Sequence, residues 1–381
     1  MSTVSTTPTG AAPEETGSIL PDAEDRRLRG TFRTSTLLRH GLFFIVLAAV
    51  LALLTGFVFD PYTNYNVSGI AIFAISAAGL TVLTGINGQV SLGHGALMMI
   101  GAYTTSVLLQ WHSDLPLILM LLASIATTGV AGAIIGIAGA RLRGPYLAGA
   151  TLSLAVALPQ VPTHFASLFG GNQGISVPPP TPPDALGANF SPETWLAWIC
   201  IAAALITFFL LANLVRGSTG RRLRMVRDNE VAARLAGIDV ARTQVLAFVI
   251  SAVCAGLAGS LFAYWVSITS PTGFTLSLSL SLLTAVVIGG LGSLTGAVLG
   301  SFVLIYLPVW TSGFASSLNL TSNVANNVPL AVYGIVLIVA ILVFPRGFAG
   351  GVASLGRFLG KVFRPGRNTS TLPAAPTAPT H

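Results

Sequence analysis

The chain has 381 residues, of which 53% are hydrophobic and only 8% are charged, whereas a typical soluble domain has about 25% charged residues. This composition excludes an ordinary soluble protein and predicts an all-α, polytopic integral membrane protein with about ten transmembrane helices. The formal net charge of +7 indicates contact with membrane lipid, and no stretch is typical of a nucleic-acid-binding module.

The predicted transmembrane domain covers residues 39–348 and lies between two cytoplasmic tails, 1–38 and 349–381. Both tails are rich in Ser, Thr and Pro, and the N-terminal one is predicted to be disordered because it cannot bury a core. A secretory signal is an alternative for the first apolar run. That run covers 42–59 without a small-residue cleavage site after it, and signal cores have about 7–15 residues, so a retained helix is predicted.

Ten apolar runs are long enough to cross a bilayer. Their approximate bounds are 41–59, 67–85, 89–110, 115–139, 145–165, 194–215, 244–266, 275–291, 294–310 and 328–344. With a cytoplasmic N-terminus, every Lys and Arg falls on the cytoplasmic side and the C-terminus does too. The outer loops then carry only acidic charges, at Asp60, Asp114, Asp184 and Glu193. The positive-inside rule predicts this asymmetry.

The stretch TGINGQVSLGHGAL at 84–97 places polar side chains and glycines between two apolar runs. At membrane depth, the N–H and C=O groups of non-helical backbone need hydrogen-bond partners from protein or from a water-filled cavity. This first glycine turn, residues 85–95, either lines or gates a passage or is a structural turn whose polar residues cap helix ends. A lone His more often bonds a carbonyl than a ligand. The candidate residues are Asn87, Gly88, Gln89, Ser91, Gly93 and His94.

A second glycine turn, residues 289–296 (GGLGSLTG), repeats the Gly-x-x-Ser-Leu spacing of residues 88–92. This suggests an internal repeat of the kind in which transporters hold a solute between the halves. The candidates here are Gly290, Gly292 and Ser293. Gly292, Gly296 and Gly300 also recur at helical spacing, as do Gly129, Gly132, Gly136 and Gly139, and such small faces favour close helix packing.

The predicted spans contain no Asp, Glu, Lys or Arg, although ion-coupled carriers usually hold an ionisable group within the bundle. The chain also lacks a nucleotide-binding P-loop, since Lys361 is its only lysine and is followed by Val362. No set of residues indicates covalent catalysis or a metal. A transport path of this composition would bind no cofactor itself and would need ATP hydrolysis in separate subunits.

The loop 216–243 contains a predicted short helix at 228–236. Asp228 is a plausible N-cap, Glu230 lies in the first turn and Gly237 is a natural stop. Val231, Leu235 and Ile238 fall on one side, and Ala232 and Ala233 are expected to be exposed beside them. The helix either lies on the membrane, with arginines bound to lipid phosphates, or docks on a partner protein.

RDNEVAARLAGIDV, within this loop, resembles the cytoplasmic coupling segment of ABC importer permeases, most closely those for branched-chain amino acids. The resemblance extends over roughly 67–348 and includes the first glycine turn, RLRGPYLAGATL (141–152), FGGNQGI (169–175), VVIGGLGSLTGAVLG (286–300) and PRGF (345–348). It departs at LSLAVALPQV (152–161), where related chains commonly have an acidic residue. Contact with the ATPase is implied for Arg227, Asp228, Asn229, Glu230, Ala232, Ala233 and Gly237.

The resemblance implies a permease subunit of an ATP-driven importer of branched-chain or related hydrophobic amino acids in a bacterial inner membrane. It implies ATPase subunits, a second homologous permease and an extracytoplasmic solute-binding protein as partners. The outer loop 166–193 would receive the binding protein or act as a rigid spacer. The alternatives are a permease for urea or short amides, an ion-coupled carrier acting alone, and a membrane scaffold without transport.

Overall fold

The computed structural model describes residues 44–112, 114–142, 144–183 and 190–317, with residues 334, 335 and 338. The predicted tails 1–38 and 349–381 lie outside these residues, and so does nearly all of the predicted tenth span, 328–344. The described residues from Ala48 onward belong to one compact unit. The described part is overwhelmingly helical, as expected for a polytopic membrane protein.

The helices and strands follow one another with short connections. They are α1 (Phe44–Phe57), α2 (Pro61–Leu80), α3 (His94–Trp111), α4 (Leu117–Gly139), α5 (Pro145–Ala157), α6 (Gln160–His164), α7 (Ala166–Phe169), β1 (Ile175–Ser176), α8 (Pro192–Arg216), α9 (Ser218–Asp228), α10 (Glu230–Leu235), α11 (Val240–Val266), β2 (Ile268–Thr269), α12 (Leu276–Gly289) and α13 (Leu294–Ser317). A π-helical turn, Thr81–Ile86, continues α2, and 3-10 turns cover Gly171–Gln173 and Pro271–Phe274.

Of the nine predicted spans that fall on described residues, eight each coincide with one helix and one, 145–165, is divided. Among those residues, 5 helices are long and apolar enough to cross a membrane, or 6 when a bent pair is included. The predicted spans 41–59 and 275–291 correspond to the shorter apolar helices α1 and α12. The span predicted at 89–110 begins only at His94, because the preceding polar residues form an irregular turn.

The span predicted at 145–165 is not a single helix. It is divided into α5 and α6, and α7 follows beyond a bend of 90° near Phe165. Pro159 lacks the N–H group that a continuous helix would use, which explains the break between α5 and α6. Beyond the bend, Ile175 pairs with Thr269 in a short antiparallel β1–β2 ladder, a small exception to the all-α prediction that connects this region to the end of α11.

Helix α11 is the centre of the bundle and packs against α2, α3 and α4. Small residues allow these close approaches: a Cβ built on Gly101 would overlap Gly256, and one on Gly132 would overlap Ala252. Because lipid tails are as apolar as side chains, such close backbone packing is a main source of helix association in membranes. The predicted packing role of the glycines in α4 is confirmed.

The second predicted small face is only partly correct. Gly296 and Gly300 do pack closely, with no room for a Cβ beside the carbonyls of Gly289 and Ala285 in α12. Gly292 does not belong to this face, because it lies in the turn before α13 with φ of +84°. Its positive φ, which suits glycine, serves the chain reversal instead.

The two glycine turns connect differently packed helices. Helices α12 and α13 pack along each other, whereas α2 and α3 make few contacts and separate around α11. The internal repeat therefore stays a prediction based on turn sequence.

The outer face of α4 is apolar and exposed. Ile118, Leu122, Val130, Ile134 and Ile137 each expose more than half of their accessible surface. An apolar face of this length on a helix that could span a membrane is expected to contact lipid.

Candidate coupling and gating site

Residues predicted separately as a gate and as a coupling segment meet at one end of the bundle. A Cβ built on Gly85 would overlap the backbone of Gly292, so the first and second glycine turns are in direct contact. Arg227 Nη1 donates a hydrogen bond to the Gly85 carbonyl oxygen at 2.9 Å. Three segments far apart in sequence thus form one contiguous surface.

The first glycine turn is a buried, hydrogen-bonded structure. Asn87 Nδ2 donates to Gln89 Oε1 at 2.7 Å, and Thr84 Oγ1 donates to the Gln89 carbonyl at 3.2 Å. Ser91 Oγ accepts a longer bond from the Gly93 amide, at 3.4 Å. These contacts match the interpretation as a structural turn, in which polar side chains replace helical hydrogen bonds.

Two polar atoms in this region lack a hydrogen-bond partner in the described part of the chain. They are Thr81 Oγ1, in the π-helical turn, and Asn87 Oδ1. Leaving buried polar atoms unpaired is unfavourable, and π-helical turns are frequent at functional sites. The end of α2 therefore has unused hydrogen-bonding capacity that water, a solute or another conformation would satisfy.

His94 is fully buried at the start of α3 and bridges two neighbouring helices. Its Nε2 lies 3.0 Å from the Ser76 carbonyl oxygen in α2, and its Nδ1 lies 3.4 Å from Ser251 Oγ in α11. The Gly95 amide next to it donates to Ser279 Oγ in α12 at 3.0 Å. This arrangement agrees with the expectation that His94 bonds a carbonyl.

The second glycine turn uses positive backbone angles and a serine cap. Gly290 has φ of +111°, and the Gly296 amide donates to Ser293 Oγ at 3.1 Å. Ser293 thereby satisfies one of the free amides at the beginning of α13. The matching Ser91 lies two residues before its helix cap and bonds within the turn instead.

The coupling segment, residues 216–243, contains two helices instead of the single one predicted at 228–236. Helix α9 runs through Asp228, and Asn229 caps α10 by accepting bonds from the Val231 and Ala232 amides at 2.9 and 3.0 Å. The prediction of Asp228 as N-cap is therefore wrong. Asp228 instead pairs with Arg227, at 2.8 Å.

The prediction that Gly237 stops this helix is confirmed. Its φ is +79°, and its amide donates to the Arg234 carbonyl at 3.0 Å. The Ile238 amide then reaches back to the Ala233 carbonyl at 3.0 Å. Glycine suits this left-handed position because it has no Cβ to clash with the backbone.

The exposed face of α10 differs from the prediction. Ala232 is exposed as expected, but Ala233 is buried against Val226 and Val240. Leu235 and Val231 are instead 86% and 66% exposed. A helix of six residues can bury only one narrow face, and α9 and α11 enclose the side carrying Ala233.

Glu230 connects α10 to a transmembrane helix. Its Oε1 accepts a hydrogen bond from Gln244 Nε2 at 3.1 Å, and its Oε2 lies 3.8 Å from Arg234 Nη2. The exposed ion pair adds little stability, whereas the bond to the buried Gln244 fixes the position of α10 on α11.

Sequence reasoning missed Gln244 and Thr81 as site residues. Gln244 was detectable in principle, since it is a polar side chain at the beginning of the predicted apolar span 244–266. Thr81 had no distinguishing signal, because hydroxyl side chains recur throughout these helices. Among the described residues, no group of His, Cys, Asp and Glu could hold a metal ion, and both cysteines, Cys200 and Cys254, are buried free thiols.

A family described as the permease component of branched-chain amino acid transport systems matches residues 62–341. The high-affinity branched-chain amino acid transport permease LivM of Escherichia coli is 30% identical over 288 residues, covering 69% of this chain and 66% of its own length. The LivH permease of Salmonella typhimurium is 26% identical, covering 73% and 91%. A probable LivM of Methanocaldococcus jannaschii is 27% identical, covering 72% and 79%.

The chain spans slightly less than two thirds of the length of the LivM proteins of Escherichia coli and Salmonella typhimurium, at 66% and 60%. No solved structure matches the chain. The relatives are named as transport permeases and not as enzymes. Together with the apolar helices, the family match shows that this multi-pass membrane protein belongs to the permease-component family of branched-chain amino acid transport systems.

Proposed function

We propose that the chain is the permease subunit of an ATP-driven importer for branched-chain or related hydrophobic amino acids. The observation that carries this proposal is a series of two contacts: Arg227 of the coupling segment bonds Gly85 in the first glycine turn, and Gly85 lies directly on Gly292 in the second. In such a subunit, movement of a docked ATPase must reach the passage through the bundle. The three segments that touch here are suitably placed to transmit it.

The proposed partners are ABC ATPase subunits, a second homologous permease and an extracytoplasmic solute-binding protein. The exposed apolar side chains of Val231 and Leu235 at the tip of α10 support docking of an ATPase, since large exposed apolar groups favour a protein contact. Arg227, Asp228, Asn229, Glu230, Ala233 and Gly237 would shape and hold this tip, and Ala232 would lie beside it. ATP would be bound by the partners, and this chain would bind no cofactor.

The proposed gate consists of the two glycine turns. Asn87, Gly88, Gln89, Ser91 and Gly93 would form the movable first turn, which His94 anchors to the bundle. Gly290, Gly292 and Ser293 would form the opposing turn. The unpaired Thr81 Oγ1 and Asn87 Oδ1 support this assignment, because a turn that changes partners needs spare hydrogen-bonding groups in one of its states.

The proposed topology has about ten transmembrane helices with both termini in the cytoplasm of a bacterium. The arginines at the end of α8 and in α9 support it, because they lie at the end of the bundle that carries both glycine turns. Basic residues concentrate on the cytoplasmic side of membrane proteins.

Reconstitution in proteoliposomes tests the proposed function. The chain, its sister permease, the ATPase subunits and leucine-loaded binding protein should together accumulate labelled leucine only when ATP is supplied to the ATPase side. Competition by excess isoleucine should abolish uptake, whereas urea should not. Gradient-driven uptake by the chain alone would instead identify a secondary carrier, preference for urea would identify an amide permease, and no uptake would favour a scaffold.

A further inference from the structure

Arg227 is a side chain of the coupling segment that contacts the proposed gate. Its guanidinium donates to the Gly85 carbonyl at 2.9 Å. Its methylene stem lies on the backbone of Gly88, where a built Cβ would come within 2.6 Å of Arg227 Cγ. Arg227 therefore touches both the end of the π-helical turn, at Gly85, and the beginning of the non-helical stretch that follows it, at Gly88.

The Gly85 carbonyl is a suitable acceptor because of its place in the chain. The π-helical turn ends at Ile86, and carbonyls in the last turn of a helix lack amide donors from the same helix. A charged donor makes a stronger hydrogen bond than a neutral one. Loss of this bond would leave the carbonyl without its partner and free the end of α2 to rearrange.

The opposite side of Gly85 contacts the second glycine turn. Absence of a Cβ lets the Gly85 backbone lie directly on Gly292, so a displacement of one turn must displace the other. Asp228 holds the guanidinium from its solvent side, with Oδ1 at 2.8 Å from Nη2 and 2.9 Å from Nε. The resulting series of contacts runs from Asp228 through Arg227 and Gly85 to Gly292.

We propose that Arg227 is a positioning residue that transmits movement of the coupling segment to the two glycine turns through its bond to the Gly85 carbonyl. The inference rests on the proposed function and adds the residue and the atom through which coupling passes. Helix α9 carries the movement because Leu223 and Val226 are buried, so Arg227 is attached to a helix that is itself held in the bundle.

The sharpest test separates the guanidinium's hydrogen bond from the packing of its stem. Arg227→Met retains an apolar stem over Gly88 and removes the donor, whereas Arg227→Lys retains a cationic donor. In the reconstituted complex, Arg227→Met should lower the leucine transported per ATP hydrolysed about tenfold, a typical allosteric coupling effect. Arg227→Lys should recover most of that loss. The leucine transported per ATP hydrolysed by Asp228→Asn should lie between the values of Arg227→Met and the unmodified complex.

Arg222→Gln is the matched control, since Arg222 is an exposed arginine on the same helix. Its coupling ratio should equal that of the unmodified complex. Equal coupling in Arg227→Met and the unmodified protein would overturn the proposal, and so would failure of Arg227→Lys to recover. Loss of the ATPase subunits from Arg227→Met during purification would also overturn it, because Arg227 would then be needed to bind the ATPase subunits and not to transmit their movement.

Failure of the proposed function has a different signature. In that case the unmodified complex would not couple leucine uptake to ATP hydrolysis, and the variants could not lower that coupling. If Arg227→Met unfolds at a lower temperature than the unmodified chain, Asp228→Asn provides the test, because it changes only an exposed partner of the guanidinium. Normal coupling in a folded Asp228→Asn would then overturn the proposal, because loss of this partner should loosen the guanidinium's bond to the Gly85 carbonyl and lower the coupling.

Discussion

One added methyl group at Gly259 should separate α3 from α11. A Cβ at this position would overlap the Met98 carbonyl oxygen, and backbone cannot move aside as a flexible side chain can. Gly259→Ala should lower the free energy of unfolding by about 1–3 kcal/mol, as overpacking does. Thermal unfolding in detergent measures this, with Gly149→Ala as control, since nothing lies within 4 Å of a Cβ there. Equal melting of both variants would contradict the packing described.

His94 illustrates how a residue in a proposed gate serves structure. Its two ring nitrogens lie near groups on α2 and α11, so His94→Ala should remove the contacts that join these helices through the ring and cost about 1–3 kcal/mol of stability. Among molecules that still fold, the KM for leucine should not change. A large increase in KM at unchanged stability would instead indicate that His94 contacts the solute.

At the scale of one element, α10 should determine assembly with the ATPase. Its buried side holds Ala233, while Leu235 projects outward. Leu235→Glu should weaken association with ATPase subunits by about 2 kcal/mol, the loss typical of a central interface residue. Pull-down of ATPase subunits measures the effect, and membrane insertion should be normal.

Arg242→Gln is a suitable control for that experiment. Arg242 lies at the start of α11, is 90% exposed and pairs only with nearby Asp239 in the described part of the chain. Retention of ATPase subunits by Leu235→Glu, or their equal loss from the control, would place docking elsewhere on the coupling segment.

At the scale of the whole molecule, thiol labelling should distinguish the two ends of the bundle. Both native cysteines are buried, so an introduced cysteine provides the accessible thiol. Asn172→Cys lies in the exposed turn after the broken span, and Arg222→Cys lies in α9. An impermeant maleimide added to intact cells should label the first and should reach the second only after permeabilisation. The reverse pattern would invert the proposed topology.

Local patterns explain which features were predictable across the molecule. Eight predicted spans each coincide with one helix, because hydropathy depends on neighbouring residues. Gly237 ends its helix as expected, because glycine tolerates positive φ. The division of the fifth span was missed although Pro159 and Pro162 stand within it, since a continuous apolar run outweighed two helix-breaking residues.

The sequence by itself determined the membrane class, the charge asymmetry and the location of the three polar segments, because composition and spacing are properties of neighbouring residues. Only the tertiary structure decided that Arg227 bonds Gly85 across 142 residues of sequence, that Ala233 is buried, and that Glu230 meets Gln244. These contacts depend on how closely the helices pack around α11. Small residues on several helices determine that packing together, and no single stretch of chain does so.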